Sequence, residues 1–188
     1  MDDLVEFLLQ YGLAGLLVVA FVEASFFPVP PDALLIPLVL LKPGRGLWYA
    51  FLCTLASAAG GLFGHFLGKL AGRPLLEHYV QGKRLARIED LFQKYGGWAV
   101  AFAALTPVPY KVFTIAAGVF LVRRRIVFVS SLLGRGVRFF FEALAVDLMG
   151  PAAVALLKKY SGPVTFGLGV LLVGAAVWYT WYRQKRSR

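Results

Sequence analysis

The sequence predicts an all-α integral membrane protein: an inverted repeat of a re-entrant helical hairpin plus a transmembrane helix, with a further C-terminal transmembrane helix. Three observations predict it. Of the 188 residues, 59% are hydrophobic and 16% charged, against about 45–50% and about 25% in soluble domains. The apolar residues are gathered into long stretches, 12–41, 47–72, 98–122, 126–149 and 163–182, and a membrane span needs about 20 of them. Two of those stretches are broken by the same triplet, Pro-Val-Pro, at 28–30 and 107–109.

Residues 3–11 read as a short amphipathic leading helix. The stretch 12–41 is then interrupted by Phe27-Pro28-Val29-Pro30-Pro31-Asp32. Proline removes a backbone donor, and the residue before it avoids the helical region. Pro28, Pro30 and Pro31 therefore force two half-helices with a bend between them. Both arms are short for spanning, so a hairpin that enters and leaves on one side fits the lengths. A loop between two ordinary spans is the alternative. Broken backbone at membrane depth is tolerated where protein or a water-filled cavity surrounds it.

The helix 47–72 carries Gly60, Gly64, Gly68 and Gly72 at a spacing of four, with Gly61 beside them. Small residues at that spacing let another backbone approach closely, which predicts packing against a hairpin, with a homodimer face as the other use. The connector 73–95 places Leu85, Ile88, Leu91 and Phe92 at helical spacing among Lys83, Arg84, Arg87, Glu89 and Lys94. It reads as an amphipathic helix on the membrane surface or a solvated linker. The parts then recur. Tyr95-Gly96 precedes the second break as Tyr11-Gly12 precedes the first. Pro107 and Pro109 make that break. Lys111 follows it at the offset of Asp32, and Arg123, Arg124 and Arg125 follow as Lys42 and Arg45 do. The single membrane domain 1–188 thus divides into repeat one, about 11–72, the connector 73–95 and repeat two, about 96–149. The helix 163–182 and a basic cytoplasmic tail, 183–188, complete it.

The net charge of +10 would suggest nucleic acid in a soluble protein. Here the positives flank apolar stretches, which topology explains, and no nucleic-acid partner is expected. With both hairpins re-entrant, one side of the membrane collects twelve positives and the other four. With each hairpin as one full span the division is nine to seven. The positive-inside rule favours the first arrangement, which puts the hairpins on opposite faces. Asp2, Asp3 and Glu6 have the wrong sign for a signal peptide, so the first apolar segment is expected to be retained. The one cysteine, Cys53, has no disulfide partner, and His65 and His78 stand too far apart from other ligands for a metal. No metal and no cofactor are expected.

Ionisable residues within apolar stretches are functional hypotheses by default, because burying them in lipid is costly. Glu23 and Asp32 flank the first break. Lys111 follows the second. Arg135, Arg138 and Glu142 lie in 126–149, with Arg138 and Glu142 four apart and able to pair, functionally or as a structural salt bridge. Lys69 reads as a snorkelling cation, His65 as packed and Asp147 as interfacial. Lys111, Arg135 and Arg138, with Tyr110 beside them, suit a phosphate-like head group. Glu23, Asp32 and Glu142 suit proton or ion coupling. No nucleophile–base pair and no NTPase phosphate loop accompany them, so neither an enzyme nor an ATP-driven pump is expected.

Glu23 followed by Pro-Val-Pro-Pro-Asp, the glycine-rich helix after it and a second break ending in Ala116-Ala117-Gly118 resemble the DedA family, also called VTT-domain or SNARE-associated Golgi proteins. The stretch Leu105-Thr-Pro-Val-Pro-Tyr-Lys-Val-Phe-Thr-Ile-Ala-Ala-Gly118 resembles a bacterial branch, and the likeness covers about 20–150. It implies opposed re-entrant hairpins in a bacterial inner membrane, with the C-terminus cytoplasmic. It also implies movement of lipids between leaflets, with undecaprenyl phosphate or phospholipid as substrate and proton or sodium coupling. The family's paired acids map to Glu23 and Asp32. Its second hairpin carries two arginines about a proline. Here Lys111 stands at the later position and an apolar residue or Thr106 at the earlier, leaving Arg135 or Arg138 to supply the charge. The competing expectations are a secondary transporter of a small ion or solute, and an envelope scaffold that transports nothing.

Overall fold

A computed structural model describes residues 10–26, 29–74, 76, 83–105 and 109–153. The leading helix, Pro28, Thr106, Pro107, His78, the C-terminal helix and the basic tail therefore lie outside the described residues. All regular structure within them is helical: α1 Gly12–Ser25, α2 Asp32–Leu41, α3 Gly46–Leu67 with a π-turn at Gly68–Gly72, α4 Lys83–Leu105, α5 Tyr110–Val119 and α6 Arg124–Met149.

At about 1.5 Å per residue, α1 is about 21 Å long and α2 and α5 about 15 Å, whereas α3 and α6 reach about 33 and 39 Å. The short helices fall where prolines stop them. Pro31 occupies the cap of α2 at φ −65°, and Pro109 that of α5 at φ −59°, values that the pyrrolidine ring fixes. Pro37 sits inside α2 and leaves one carbonyl of that half-helix without its usual donor. Among the described residues one helix, Gly46–Gly72, is long and apolar enough to cross a membrane. Nearly as long, α6 carries Arg135, Arg138, Glu142 and Asp147 along its length.

The packing follows one rule in both halves. α3 and α6 lie against each other at the centre; α1 packs on α3 and α4 on α6; α2 packs on α6 and α5 on α3. Each hairpin thus sets its first arm on the long helix that follows it and its second arm on the long helix of the other half. One core gathers Leu16, Leu34, Leu35, Val39, Cys53 and Phe139 around the first hairpin. A second gathers Val100, Ala104, Tyr110, Val122 and Val127 around the other.

The glycine row of α3 is what admits both hairpins. A Cβ at Gly60 would overlap the Phe21 carbonyl of α1, and one at Gly68 the Ile115 carbonyl of α5. Gly64 faces both, with Thr114 Oγ1 at 3.0 Å and the Ser25 carbonyl at 3.5 Å from its would-be Cβ. His65, packed as expected, ties the same face to the chain beyond α5: its Nε2 lies 2.8 Å from the Val122 carbonyl.

Two local features differ from the repeat read in the sequence. The boundary expected at 95 and 96 falls inside α4, which is continuous. Gly96 and Gly97 do not end it because they make room: their would-be Cβ atoms meet Val122 Cγ2 at 2.9 Å and Ile126 Cγ2 at 2.5 Å. Tyr11-Gly12, by contrast, begins a helix, with Gly12 at φ +53°. The second difference is the end of α5, where Leu121 takes φ 55°, a conformation usually left to glycine. The Val122 amide donates to the Ala117 carbonyl (2.8 Å) and the Leu121 amide to Gly118 (3.1 Å), the Schellman pattern that closes a helix. Gln93 of α4 donates to the Leu121 carbonyl at 2.6 Å.

Asp147, near the end of α6, accepts the Gly44 amide at 2.7 Å and so ties the α2–α3 turn to α6. Asp147→Ala is expected to lower stability by about 1 kcal/mol, the usual net worth of such a bond. Thermal unfolding of the purified protein in detergent reads it out.

Candidate functional site

The first hairpin brings its two acids to the middle of α6. Glu23 is on the last turn of α1, and Asp32 opens α2, at the positive end of that half-helix, where a carboxylate is favoured. The face of α6 that meets them carries Ser131, Arg135, Arg138 and Glu142, spaced four, three and four, so all point the same way. Arg135 Nη2 donates to Glu23 Oε2 at 2.8 Å. Arg138 bridges two acids, its Nη2 on Asp32 and its Nε on Glu142 Oε1 at 3.0 Å.

The second hairpin closes on the same guanidinium. Arg135 lies over the Tyr110 ring, 4.4 Å from its centroid, and 5.6 Å from that of Phe139. The Tyr110 hydroxyl donates to Ser131 Oγ, which donates to the Val127 carbonyl at 2.6 Å. Tyr110 fits there because Gly61 has no side chain: a Cβ on it would overlap the phenol oxygen. Lys111, next along α5, is half-buried, and its carbonyl accepts from Thr114 Oγ1 at 3.0 Å.

The site is withdrawn from solvent. The side chain of Arg135 is 3% exposed, Glu142 13%, Glu23 17% and Asp32 20%. Charges so placed persist only when paired, and removing one partner of a buried pair costs about 3–5 kcal/mol. The five groups are unbalanced, with three carboxylates against two guanidiniums. Asp32 Oδ1, Glu142 Oε2, Arg135 Nε and Ser57 Oγ are buried and find no hydrogen-bond partner among the described residues. The cluster therefore has spare capacity for one positive charge or proton and for further polar contacts.

Of the residues expected at the site, Glu23, Asp32, Tyr110, Arg135, Arg138 and Glu142 meet in one network. The Arg138–Glu142 pair foreseen from its spacing forms, with Asp32 added from another helix. Pro31 and Pro109 are the caps that aim Asp32 and Tyr110, and Pro30, one residue before the first, accepts the Ala33 amide. Ser131 was not singled out, although its place four residues before Arg135 puts it on the same face.

The model of the VTT domain matches residues 29–148. An uncharacterised protein of Haemophilus influenzae is 30% identical over 167 residues, 87% of each chain. Another, of Histophilus somni, is 37% identical over 154 residues, 80% of each. Undecaprenyl phosphate transporter A of Staphylococcus aureus is 28% identical over 127 residues, 61% of this chain and 62% of that one. No solved structure matches.

Proposed function

The chain belongs to the VTT-domain (DedA) family, and from that premise we propose that it is a membrane lipid transporter, flippase- or scramblase-like, moving an anionic lipid with a phosphate head group and coupled to protons or sodium. The observation that carries this reading is Arg135, held between Glu23 of one hairpin and Tyr110 of the other. A phosphate has the geometry to replace a carboxylate on a guanidinium. When it does, the displaced Glu23 or Asp32 is left buried without a cation and takes a proton or a sodium ion. Lipid and cation then bind together, and release of one favours release of the other. The name of the Staphylococcus aureus relative supports a polyprenyl phosphate as the lipid.

In this reading the two hairpins are re-entrant from opposite faces of a bacterial inner membrane, and the C-terminus is cytoplasmic. Glu23 is eleven residues along α1 from Gly12, about 16 Å, and Arg135 is as far along α6 from Arg124. In a hydrocarbon core about 30 Å thick both lie near the middle.

Transport is tested in proteoliposomes with a fluorescent phosphatidylglycerol, with and without a pH or sodium gradient. The wild type is expected to move the lipid between leaflets, faster with one of the gradients. Glu23→Gln, Asp32→Asn and Arg138→Gln are each expected to slow it at least tenfold, and Lys111→Ala several-fold. Unchanged rates in all four would overturn the site. Topology is tested on a Cys53→Ser background: cysteines placed at Arg45 and at Arg124 are expected to react with an impermeant reagent from opposite sides.

A further inference from the structure

A second basic feature, apart from the ion-pair cluster, lies at the open end of the first hairpin. A cavity of about 350 Å³ is lined by Leu13, Leu38, Leu41, Lys42, Arg45 and Trp48, among others. We propose that this cavity is a docking site for the phosphate head group of an anionic phospholipid, resting on the membrane reading above.

The lining divides by chemistry. Leu13 of α1 and Leu38 and Leu41 of α2 offer an apolar wall for the first carbons of an acyl chain. Lys42 and Arg45, both exposed, offer the charge. The turn that carries them is hydrogen-bonded throughout: the Lys42 amide to Leu38 (3.2 Å), the Arg45 amide to Lys42 (3.3 Å) and the Tyr49 amide to Arg45 (3.0 Å). The carboxylate beside this turn is Asp147, which already accepts the Gly44 amide. Among the described residues, two cations against this one carboxylate leave a net positive rim, the complement of one phosphodiester. Trp48 is 56% exposed and stacks on Phe51, as aromatic side chains do at the head-group level of a bilayer.

The volume lies within the range of small-molecule sites, about 300–1,000 Å³, enough for a glycerophosphate with its first chain carbons. Free phosphate would use the two cations but leave the leucine wall bare, so a lipid is the better fit. The ten residues of α2, about 15 Å, separate this cavity from Asp32. It is thus distinct from the proposed transport site.

The test is native mass spectrometry of the full-length protein purified in mild detergent with equal phosphatidylglycerol and phosphatidylcholine. The wild type is expected to retain the anionic lipid over the zwitterionic one by at least fivefold. The Lys42→Gln/Arg45→Gln variant is expected to hold one anionic lipid fewer than the wild type and to lose at least half of its selectivity, the remainder being held at Arg135. Arg124→Gln/Arg125→Gln, at the other basic turn, is expected to stay at the wild-type value. Full selectivity in the first variant, or equal loss in the second, would overturn the proposal. Displacement of the lipid by millimolar inorganic phosphate would overturn it too, since the site would then read phosphate alone. Glu23→Gln separates the two readings: it is expected to slow transport at least tenfold and keep the lipid selectivity. If instead transport fails in every protein while selectivity holds, the docking site stands and the transport reading falls.

Discussion

Arg135→Gln is expected to abolish lipid transport and to destabilise the protein by about 3–5 kcal/mol, the cost of leaving a buried charge without its partner. No other side chain in the cluster combines its burial with contacts to both hairpins. Its side chain is 3% exposed, and its guanidinium pairs with Glu23 and covers Tyr110. Glutamine keeps part of the volume and some hydrogen bonding, so the loss reads the charge rather than a hole. Glu23→Gln/Arg135→Gln removes both charges together. A neutral replacement of a buried pair is often close to neutral in stability, so this double variant is expected to regain most of the stability and none of the transport. Denaturant unfolding in detergent and lipid movement in proteoliposomes give the two readouts. A stable, active Arg135→Gln protein would remove the central observation from the proposed mechanism. A double variant that regains transport as well would make the pair a structural salt bridge, the reading that its burial alone also permits.

How much of this was legible in the sequence depends on the range of the interaction. Proline acts on its own residue and its neighbours, so the breaks at 28–31 and 107–109 predicted where α2 and α5 begin. The glycine row has a local period and faces the hairpins. The pair Arg138–Glu142 is four residues apart and could be read from one helix. Arg135–Glu23 and Arg138–Asp32 are 112 and 106 residues apart. Nothing local says which acid meets which arginine; the crossing of α6 by the first hairpin decides it. The contact of Arg135 with Tyr110 is of the same kind, since it reaches the second hairpin from the neighbouring helix. The continuity of α4 through Gly96 and Gly97 was illegible because glycine reads as a breaker until Val122 and Ile126 are seen against it. Leu121 was illegible too, because a positive φ at leucine is imposed by the contacts around it, here the bonds from Leu121, Val122 and Gln93.

Gly118→Ala is expected to prevent the second hairpin from seating. The atoms that a Cβ would strike are backbone: it would overlap the His65 carbonyl oxygen and approach the carbonyl carbon at 2.8 Å and the Lys69 amide nitrogen at 2.9 Å. Across the same crossing, a Cβ at Gly68 would approach the Ile115 carbonyl carbon at 2.8 Å. A side chain could turn aside, but two helix backbones in contact move only as whole elements. Overpacking of a core typically costs about 1–3 kcal/mol, and more when the neighbours cannot yield, so a loss of at least about 3 kcal/mol is expected. Separation of α3 from α5 would also withdraw Tyr110 from its place beside Gly61 and Arg135, so transport is expected to fall with stability. Gly136→Ala supplies the comparison. Among the described residues its Cβ would meet only Thr54 Cγ2, at 3.6 Å, an ordinary contact. Alanine is the better helix former by about 0.5–1 kcal/mol, so that variant is expected to match or exceed the wild type in thermal unfolding. Equal behaviour of the two variants would mean that the α3–α5 crossing does not hold the second hairpin in place.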